Sequence, residues 1–202
     1  MYMGSRLYNA LISSFDKTSE LGRFAKRLEE MGWNIYATPG THQFFKSYHV
    51  PSVDVGALFL GEFPTFGGQV VTLTKEIHAG ILAEANNPEH MADLARLDLP
   101  FFDLVSVGLK PLDDVMNRNG VTEDEVIDMT DIGGPTMLRS AAKRRRIAVS
   151  HPNQYDRAIE LAKTYRRGER TDEIRELATE ALRRTAAYDL ILINFNFEMF
   201  GQ

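Results

Sequence analysis

The sequence contains no cysteine among its 202 residues. Disulfide bridges, a thiolate nucleophile and cysteine-ligated zinc are therefore excluded, and this composition is typical of a reducing compartment. No apolar run approaches the roughly 20 residues that a membrane-spanning helix needs. The apolar stretch near the start is also too short and too interrupted by polar residues to be a signal sequence. We therefore expect a soluble cytoplasmic protein with no membrane partner.

Positive charge is in deficit, because 23 lysines and arginines face 28 aspartates and glutamates and the formal net charge is −5. Affinity for nucleic acid comes from clustered cations, so we expect no nucleic-acid partner. The five histidines are scattered and form no closely spaced metal-binding pair. The glycine signatures of P-loops and Rossmann folds are also missing. The motifs therefore predict neither a metal site nor a dinucleotide cofactor.

Short apolar or β-branched runs alternate with longer stretches of helical period along the chain. This alternation predicts an α/β fold with a mainly parallel sheet that helices cover on both faces. The predicted strands are 10–14, 34–37, 104–107, 147–150 and 190–194. The predicted helices are 21–31, 41–48, 77–86, 91–97, 134–143, 154–166 and 172–188. Because no long linker interrupts the pattern, we expect residues 1–202 to form one domain.

The first two predicted strands end in turns that suit a phosphate group, SSFDKT and ATPGTH. Open α/β sheets bind ligands at the carboxyl edge of their strands, where helix N-termini offer free N–H groups. The predicted phosphate ligands are the hydroxyl, ammonium and glycine residues of these turns: Ser14, Lys17, Thr18, Thr38, Gly40 and Thr41. The alternative for Ser14, Asp16 and Thr18 is that they only cap the following helix.

Two later segments place glycines near helix starts. GGQVVTLTKEIHAG, at residues 67–80, joins a glycine pair to a helix, which an ordinary surface loop also does. DIGGPTMLRSAAK, at residues 131–143, opens a helix with two glycines and a proline, so that backbone amides can approach a ligand beside Asp131. Arg139 and Lys143 share one face of this helix and either serve a site or complement the helix dipole.

The chain resembles a known family through a series of motifs. SSFDKT, PGT, IHAGILA, GVTEDEVI, DIGGPTMLRSAAK and TAAYD occur in this order across nearly the whole chain. Together they resemble the IMP cyclohydrolase domain of the bifunctional purine-biosynthesis enzyme. The resemblance implies a methylglyoxal-synthase-like α/β fold with a twisted, mostly parallel sheet and helices on both faces. It also implies that the transformylase domain that normally follows is not part of this chain.

The resemblance also implies a reaction. In the family, the carboxamide nitrogen of the formamido imidazole carboxamide ribotide attacks its own formyl carbon, and water leaves to give IMP. This step needs no cofactor and no metal. Because the closure is intramolecular, the protein chiefly has to hold the reacting atoms together and stabilise the oxyanion. A small-molecule ribotide is thus the expected ligand, and a homodimer and a separate transformylase are the protein partners considered.

The resemblance also implies roles for individual residues of the site. Asp131 and Lys143 match family positions at the reacting base. Four positions of the turns match phosphate-binding residues of the family: Lys17, Thr38, Gly40 and Thr41. The remaining predicted substrate contacts are small or hydroxyl residues that line the same pocket: Thr72, Gly133, Gly134 and Thr136.

The chain departs from the family at three positions. Where the family reads RVKTLHP, this chain reads QVVTLTK, so Val71 replaces a lysine and Thr74 replaces a histidine. Where the family reads NLYPF, this chain reads GLKPL, so Lys110 replaces a tyrosine. Lys110 or Lys75 is then the candidate for a displaced ammonium group. We count Lys110 with Asp131 and Lys143 as the predicted catalytic residues.

These departures leave three functions open. The first is a free-standing IMP cyclohydrolase with a rearranged catalytic set. The second is a catalytically silent ribotide-binding or regulatory module. The third is a lyase of the same fold that acts on another phosphorylated substrate through Asp16 and Asp131. The apolar positions Leu177 and Leu182 of the last predicted helix belong either to the core or to an interface between two copies.

Overall fold

A five-stranded parallel sheet forms the centre of the described part of the protein. The computed structural model describes residues 8–59 and 70–200, of which 196–200 are described by their backbone alone. The strands are β1 (Asn9–Ser14), β2 (Asn34–Ala37), β3 (Val53–Asp54), β4 (Leu104–Gly108) and β5 (Ile147–Val149). Their order in the sheet is β3-β2-β1-β4-β5, and every pairing is parallel. The carboxyl ends of all five strands therefore lie at one edge.

Helices connect these strands. In the described residues they are α1 (Ser19–Glu30), α2 (Pro39–Lys46), α3 (Val55–Phe59), α4 (Lys75–Leu82), α5 (Pro88–Arg96), α6 (Leu112–Met116), α7 (Glu123–Met129), α8 (Gly133–Arg144), α9 (Tyr155–Thr164) and α10 (Asp172–Phe200). A short 3₁₀ turn at Pro152–Gln154 precedes α9. None of the described helices is both long and apolar enough to cross a membrane.

Two hydrophobic cores cover the two faces of the sheet. Ala10 and Ile12 of β1 pack with α1 and α9 in one core. Leu11, between them, packs with α4, α8 and α10 in the other. Successive side chains of a strand point to opposite faces, so strands buried on both sides are apolar throughout. The predicted α/β fold, with helices on both faces of a parallel sheet, is confirmed.

The strand predicted at 190–194 is wrong, because these residues belong to the 29-residue helix α10. A short apolar run cannot by itself distinguish a strand from a buried helix segment. In the structure Ile191 and Leu192 pack against the second core, whereas Leu190 and Ile193 are exposed. This division is helical, since neighbours in a strand would alternate strictly between the faces. The sequence left Leu177 and Leu182 of the same helix open as core or interface residues. In the structure Leu177 is a core residue and Leu182 is exposed.

Several short elements had no counterpart in the prediction. The two-residue strand β3 and the helices α6 and α7 were not expected. The GVTEDEVI motif forms the start of α7, where Thr122 and Glu125 make a capping box and Val126 enters the second core. The glycine pair at 67–68 lies outside the described residues.

Candidate active site

A cavity of about 720 Å³ opens at the carboxyl edge of the sheet. The segments that follow β1, β2 and β4 form its floor, and the start of α8 and the end of α7 form its wall. The residues that line it include Ser14, Phe15, Thr38, Gly40, Val71, Thr72, Lys110, Asp131 and Gly133. Ligands of open parallel sheets bind at this edge, so the cavity is the candidate active site.

The turns after β1 and β2 bring four of the predicted phosphate ligands together. Ser14, Thr38 and Gly40 line the cavity. A Cβ atom built on Gly40 would meet only Lys17, whose Cε would lie 4.0 Å away. The Lys17 ammonium donates to the carbonyl oxygens of Ser14 and Phe15, the latter at 3.1 Å. An ammonium has three donors, so this arrangement leaves one for an anion in front of Gly40.

The turn after β2 opens α2 at Pro39. N–H groups in the first turn of a helix have no partner within the helix, which makes this end of α2 suited to a phosphate. The side chain of Thr38 makes no capping hydrogen bond, and its hydroxyl lies 3.3 Å from Ser13 Oγ and 3.2 Å from Thr41 Oγ1. The Thr38 hydroxyl is thus held beside the cavity instead of being used by the helix.

The other two residues of this predicted set have structural positions. Thr18 is the N-cap of α1, and its hydroxyl accepts a hydrogen bond from the Leu21 amide at 3.2 Å, as the capping alternative predicts. Thr41 is fully buried, and its hydroxyl oxygen accepts from the Ser14 amide at 3.2 Å. Thr41 therefore ties the end of β1 to α2, and neither residue lines the cavity.

Asp131 joins the start of α8 to the end of β4. Its Oδ1 accepts from the Gly134 amide at 2.8 Å, and its Oδ2 lies 3.4 Å from the Lys110 amide. The Lys110 ammonium donates to the Asp128 carbonyl oxygen at 3.1 Å. Lys110 and Asp131 thus enter one cavity together. Among the described lining residues, Lys110 is the one that carries a positive charge, and two aspartates, Asp128 and Asp131, line the same cavity.

The structure does not bring Lys143 to this cavity. Lys143 lies in the last turn of α8, whose first residues, Gly133 and Gly134, line the wall. Lys143 lies nine positions after Gly134 in the helix, a rise of about 14 Å at 1.5 Å per residue. Lys143 is exposed, as is Arg139 on the same helix. Their position agrees with the alternative in which basic residues complement the negative end of the helix dipole.

Three other predicted or considered residues also lie outside the cavity lining. The Thr136 hydroxyl donates to the Ile132 carbonyl at 2.7 Å, and Thr136 does not line the cavity. Thr74 is the N-cap of α4 and accepts from the Ile77 amide at 3.3 Å. Lys75, the first residue of α4, is exposed and also does not line the cavity.

An exposed apolar rim around the cavity was not anticipated from the sequence. Phe15 is 45% exposed, Leu73 is 39% exposed, and Ile127 and Ile132 are each 59% exposed. All four line this cavity together with Val71. Exposed apolar residues that gather at one concave site mark a ligand-binding surface. The rim therefore suits a ligand with an apolar or aromatic face. The sequence did not predict it, because the residues around Phe15 do not show whether its side chain is exposed or buried.

Close packing between Thr72 and Gly133 sets one wall of the cavity. Thr72 is only 7% exposed, and a Cβ atom built on Gly133 would lie 2.2 Å from its Oγ1. We expect Gly133→Ala to lower the free energy of unfolding by about 1–3 kcal/mol, because the added methyl group overpacks this contact. Urea denaturation measures the change.

Two further variants test this prediction. Thr72→Ala in the Gly133→Ala background removes the colliding Oγ1 and should restore at least half of the lost stability. Gly40→Ala is the matched control, since a Cβ atom there would meet no atom closer than 4.0 Å and stability should not fall. Equal losses at Gly133 and Gly40, without rescue by Thr72→Ala, would contradict the packing argument.

Comparison with known proteins agrees with this architecture. The family model "MGS-like domain" matches residues 20–136. The chain is 39% identical over 190 residues to the bifunctional purine biosynthesis protein PurH of Leuconostoc mesenteroides, covering 92% of this chain and 36% of that protein. It is 38% identical over 195 residues to PurH of Listeria innocua, covering 96% and 38% respectively.

A solved structure shows the same fold at nearly full length. The crystal structure of ForH aligns with a TM-score of 0.80 and 28% sequence identity, and the alignment covers 96% of this chain and 97% of that one. The chain therefore belongs to the MGS-like domain family. Within that family it corresponds to the MGS-like part of PurH, a purine biosynthesis protein, and it spans less than two-fifths of the length of the PurH proteins described above.

Proposed function

We propose that this protein is an IMP cyclohydrolase, which closes the ring of the formamido imidazole carboxamide ribotide with loss of water. The observation that carries this proposal is that a phosphate turn opens into the same cavity as Lys110 and Asp131, whose carboxylate accepts from the Lys110 backbone amide. The turns after β1 and β2 contain the phosphate-binding candidates Lys17, Thr38 and Gly40. Lys110 follows β4, and Asp131 precedes α8. The PurH similarity over almost the whole chain supports the choice of substrate.

The order of the strands sets the distance between the phosphate turn and Lys110. β1 lies between β2 and β4. The ends of β2 and β4 are therefore about 10 Å apart at the usual strand spacing. This separation is comparable with the length of a ribose 5-phosphate. A ribotide whose phosphate binds at Gly40 therefore places its heterocycle near Lys110, where the apolar rim can contact the ring.

In this proposal the chemistry is closure and dehydration. The carboxamide nitrogen forms a bond to the formyl carbon, and the formyl oxygen becomes an oxyanion that Lys110 stabilises. This oxygen then accepts one proton that originates from the attacking nitrogen and one from the formamido nitrogen, and it leaves as water while a C=N bond forms to the formamido nitrogen. No redox change and no cofactor is required. Asp131 uses its carboxylate oxygens to hold the Gly134 and Lys110 amides, so its part is to position Lys110 and the start of α8.

A second function follows from the loss of cations at the site. Val71 lines the cavity where the resembled family has a lysine, and Thr74 caps α4 where that family has a histidine. A pocket with only Lys110 as an ammonium at its reacting end, among the described residues, would bind a ribotide without transforming it. We therefore keep a catalytically silent ribotide-binding or regulatory module as the alternative. In either case a separate transformylase is the proposed source of the formylated ribotide.

An absorbance assay with purified protein and the formamido ribotide separates the two functions. We expect turnover to IMP by the unmodified protein and saturable IMP binding in calorimetry. Binding without turnover would favour the silent module, in which case Val71→Lys should create activity. Val53→Lys adds the same charge at an exposed position outside the cavity and should change neither readout. Absence of both binding and turnover would contradict both functions.

A further inference from the structure

The tyrosine of the motif TAAYD does not line the cavity, yet it contacts the cavity wall from behind. Tyr188 lies on α10, is only 5% exposed and belongs to the second core. Its hydroxyl oxygen accepts a hydrogen bond from the Asp131 amide at 2.8 Å. The same hydroxyl lies 3.5 Å from the Met129 carbonyl oxygen, to which it can donate. A side chain 57 positions away from Asp131 thus contacts the backbone on either side of Thr130, between α7 and α8.

This segment connects directly to the polar groups of the site. Asp131 is held at its backbone by Tyr188, and its carboxylate in turn holds the amides of Gly134 and Lys110. Thr130, between the two Tyr188 contacts, lines the cavity, and its hydroxyl donates to the Val126 carbonyl at 3.0 Å. Movement of the 129–131 backbone would therefore displace the Lys110 end of the cavity.

The phosphate end is anchored independently. Thr41 ties β1 to α2 through the Ser14 amide, and Lys17 binds the carbonyl oxygens at the end of β1. None of these contacts involves α10 or the 129–131 segment. Loss of the Tyr188 hydroxyl should consequently affect the two ends of the cavity unequally.

We propose that Tyr188 is a positioning residue for the site: its hydroxyl fixes the 129–131 backbone so that Asp131 holds Lys110 in place at the reacting end of the ligand. This inference rests on the proposed ribotide site, but it concerns a residue of α10 that does not line the cavity. Burial raises the pKa of Tyr188 above its ordinary value, so the hydroxyl stays protonated and able to donate at physiological pH.

Tyr188→Phe tests the proposal, because it removes only the hydroxyl and keeps the packing of the ring. We expect kcat to fall about 10- to 100-fold, as small displacements of a reacting geometry do, with KM changed less than threefold. IMP should bind at least fivefold more weakly, whereas ribose 5-phosphate should bind unchanged, since it reaches only the phosphate end. Exchange of the Asp131 amide hydrogen, followed by NMR, should accelerate.

Tyr165→Phe is the matched control. Tyr165 is a buried tyrosine of the other core, and its hydroxyl interacts with the backbone of Gly168, away from the cavity. It should lose comparable stability in urea denaturation while both ligands bind as before. Equal effects of the two variants on kcat and on both ligands would overturn the positioning role. Failure of the unmodified protein to bind either ligand would overturn the proposed function and this inference together.

Discussion

Replacing Lys110 by methionine should lower kcat about 100- to 1,000-fold, because removal of one oxyanion-stabilising group typically has an effect of this size. Lys110 is the one positively charged residue among the described lining residues of the cavity. Methionine retains most of the length of the lysine side chain without its charge. The assay is the conversion of the formamido ribotide to IMP. Binding of ribose 5-phosphate should remain within threefold, since the phosphate turn is not altered.

Lys143→Met is the informative comparison for this prediction. The family resemblance places Lys143 at the reacting base, whereas the structure places it in the last turn of α8 on the exposed surface. We expect Lys143→Met to change kcat less than threefold. The opposite pattern, with activity lost at Lys143 and kept at Lys110, would contradict the site proposed here and favour the assignment by resemblance.

The different positions of Lys110 and Lys143 show that a sequence motif does not by itself predict which of its residues reach the site. The motif DIGGPTMLRSAAK predicts site residues at both of its ends, and its first residues do line the cavity: Asp131, Gly133 and Gly134. The helix then carries the rest of the motif away from the cavity at 1.5 Å per residue. A match of residue types predicts which helix is present, but the distance between its two ends depends on helix geometry.

The fold was predictable because both strand faces are buried. The apolar runs at β1, β4 and β5 left little ambiguity about a parallel sheet covered on both sides. The same feature explains the error at 190–194, where an apolar run of similar length continues α10. Only contacts that are distant in sequence, such as the packing of Ile191 and Leu192 on the second core, identify that run as helical.

The phosphate turns were predictable as a region but not residue by residue. Ser14, Thr38 and Gly40 line the cavity, whereas Thr18 and Thr41 use their hydroxyls to hold the backbone. A threonine hydroxyl at a helix start can bind either a ligand or a backbone amide, and both uses have the same sequence pattern. The partner is decided by the neighbouring strand, which for Thr41 is β1 at Ser14.

Removal of the Lys17 ammonium should have the second large effect. We expect Lys17→Met to weaken IMP binding about 10- to 100-fold, which is the range for one charge-assisted hydrogen bond of 1.5–3 kcal/mol. Inosine, which lacks the phosphate, should bind equally weakly to both proteins. Lys46→Met is the matched control, because Lys46 lies at the other end of α2, in its last turn, and is exposed.

The pH dependence of binding adds an independent measurement of the same group. Burial lowers the pKa of Lys17 below its ordinary value, although nearby Asp16 acts in the opposite direction. A lowered pKa means that the ammonium loses its proton at a less alkaline pH than a free lysine. IMP affinity should therefore fall as the pH rises through this lowered pKa, and Lys17→Met should abolish that fall. A calorimetric titration series across alkaline pH in which both proteins lose affinity in parallel would show that Lys17 does not bind the phosphate.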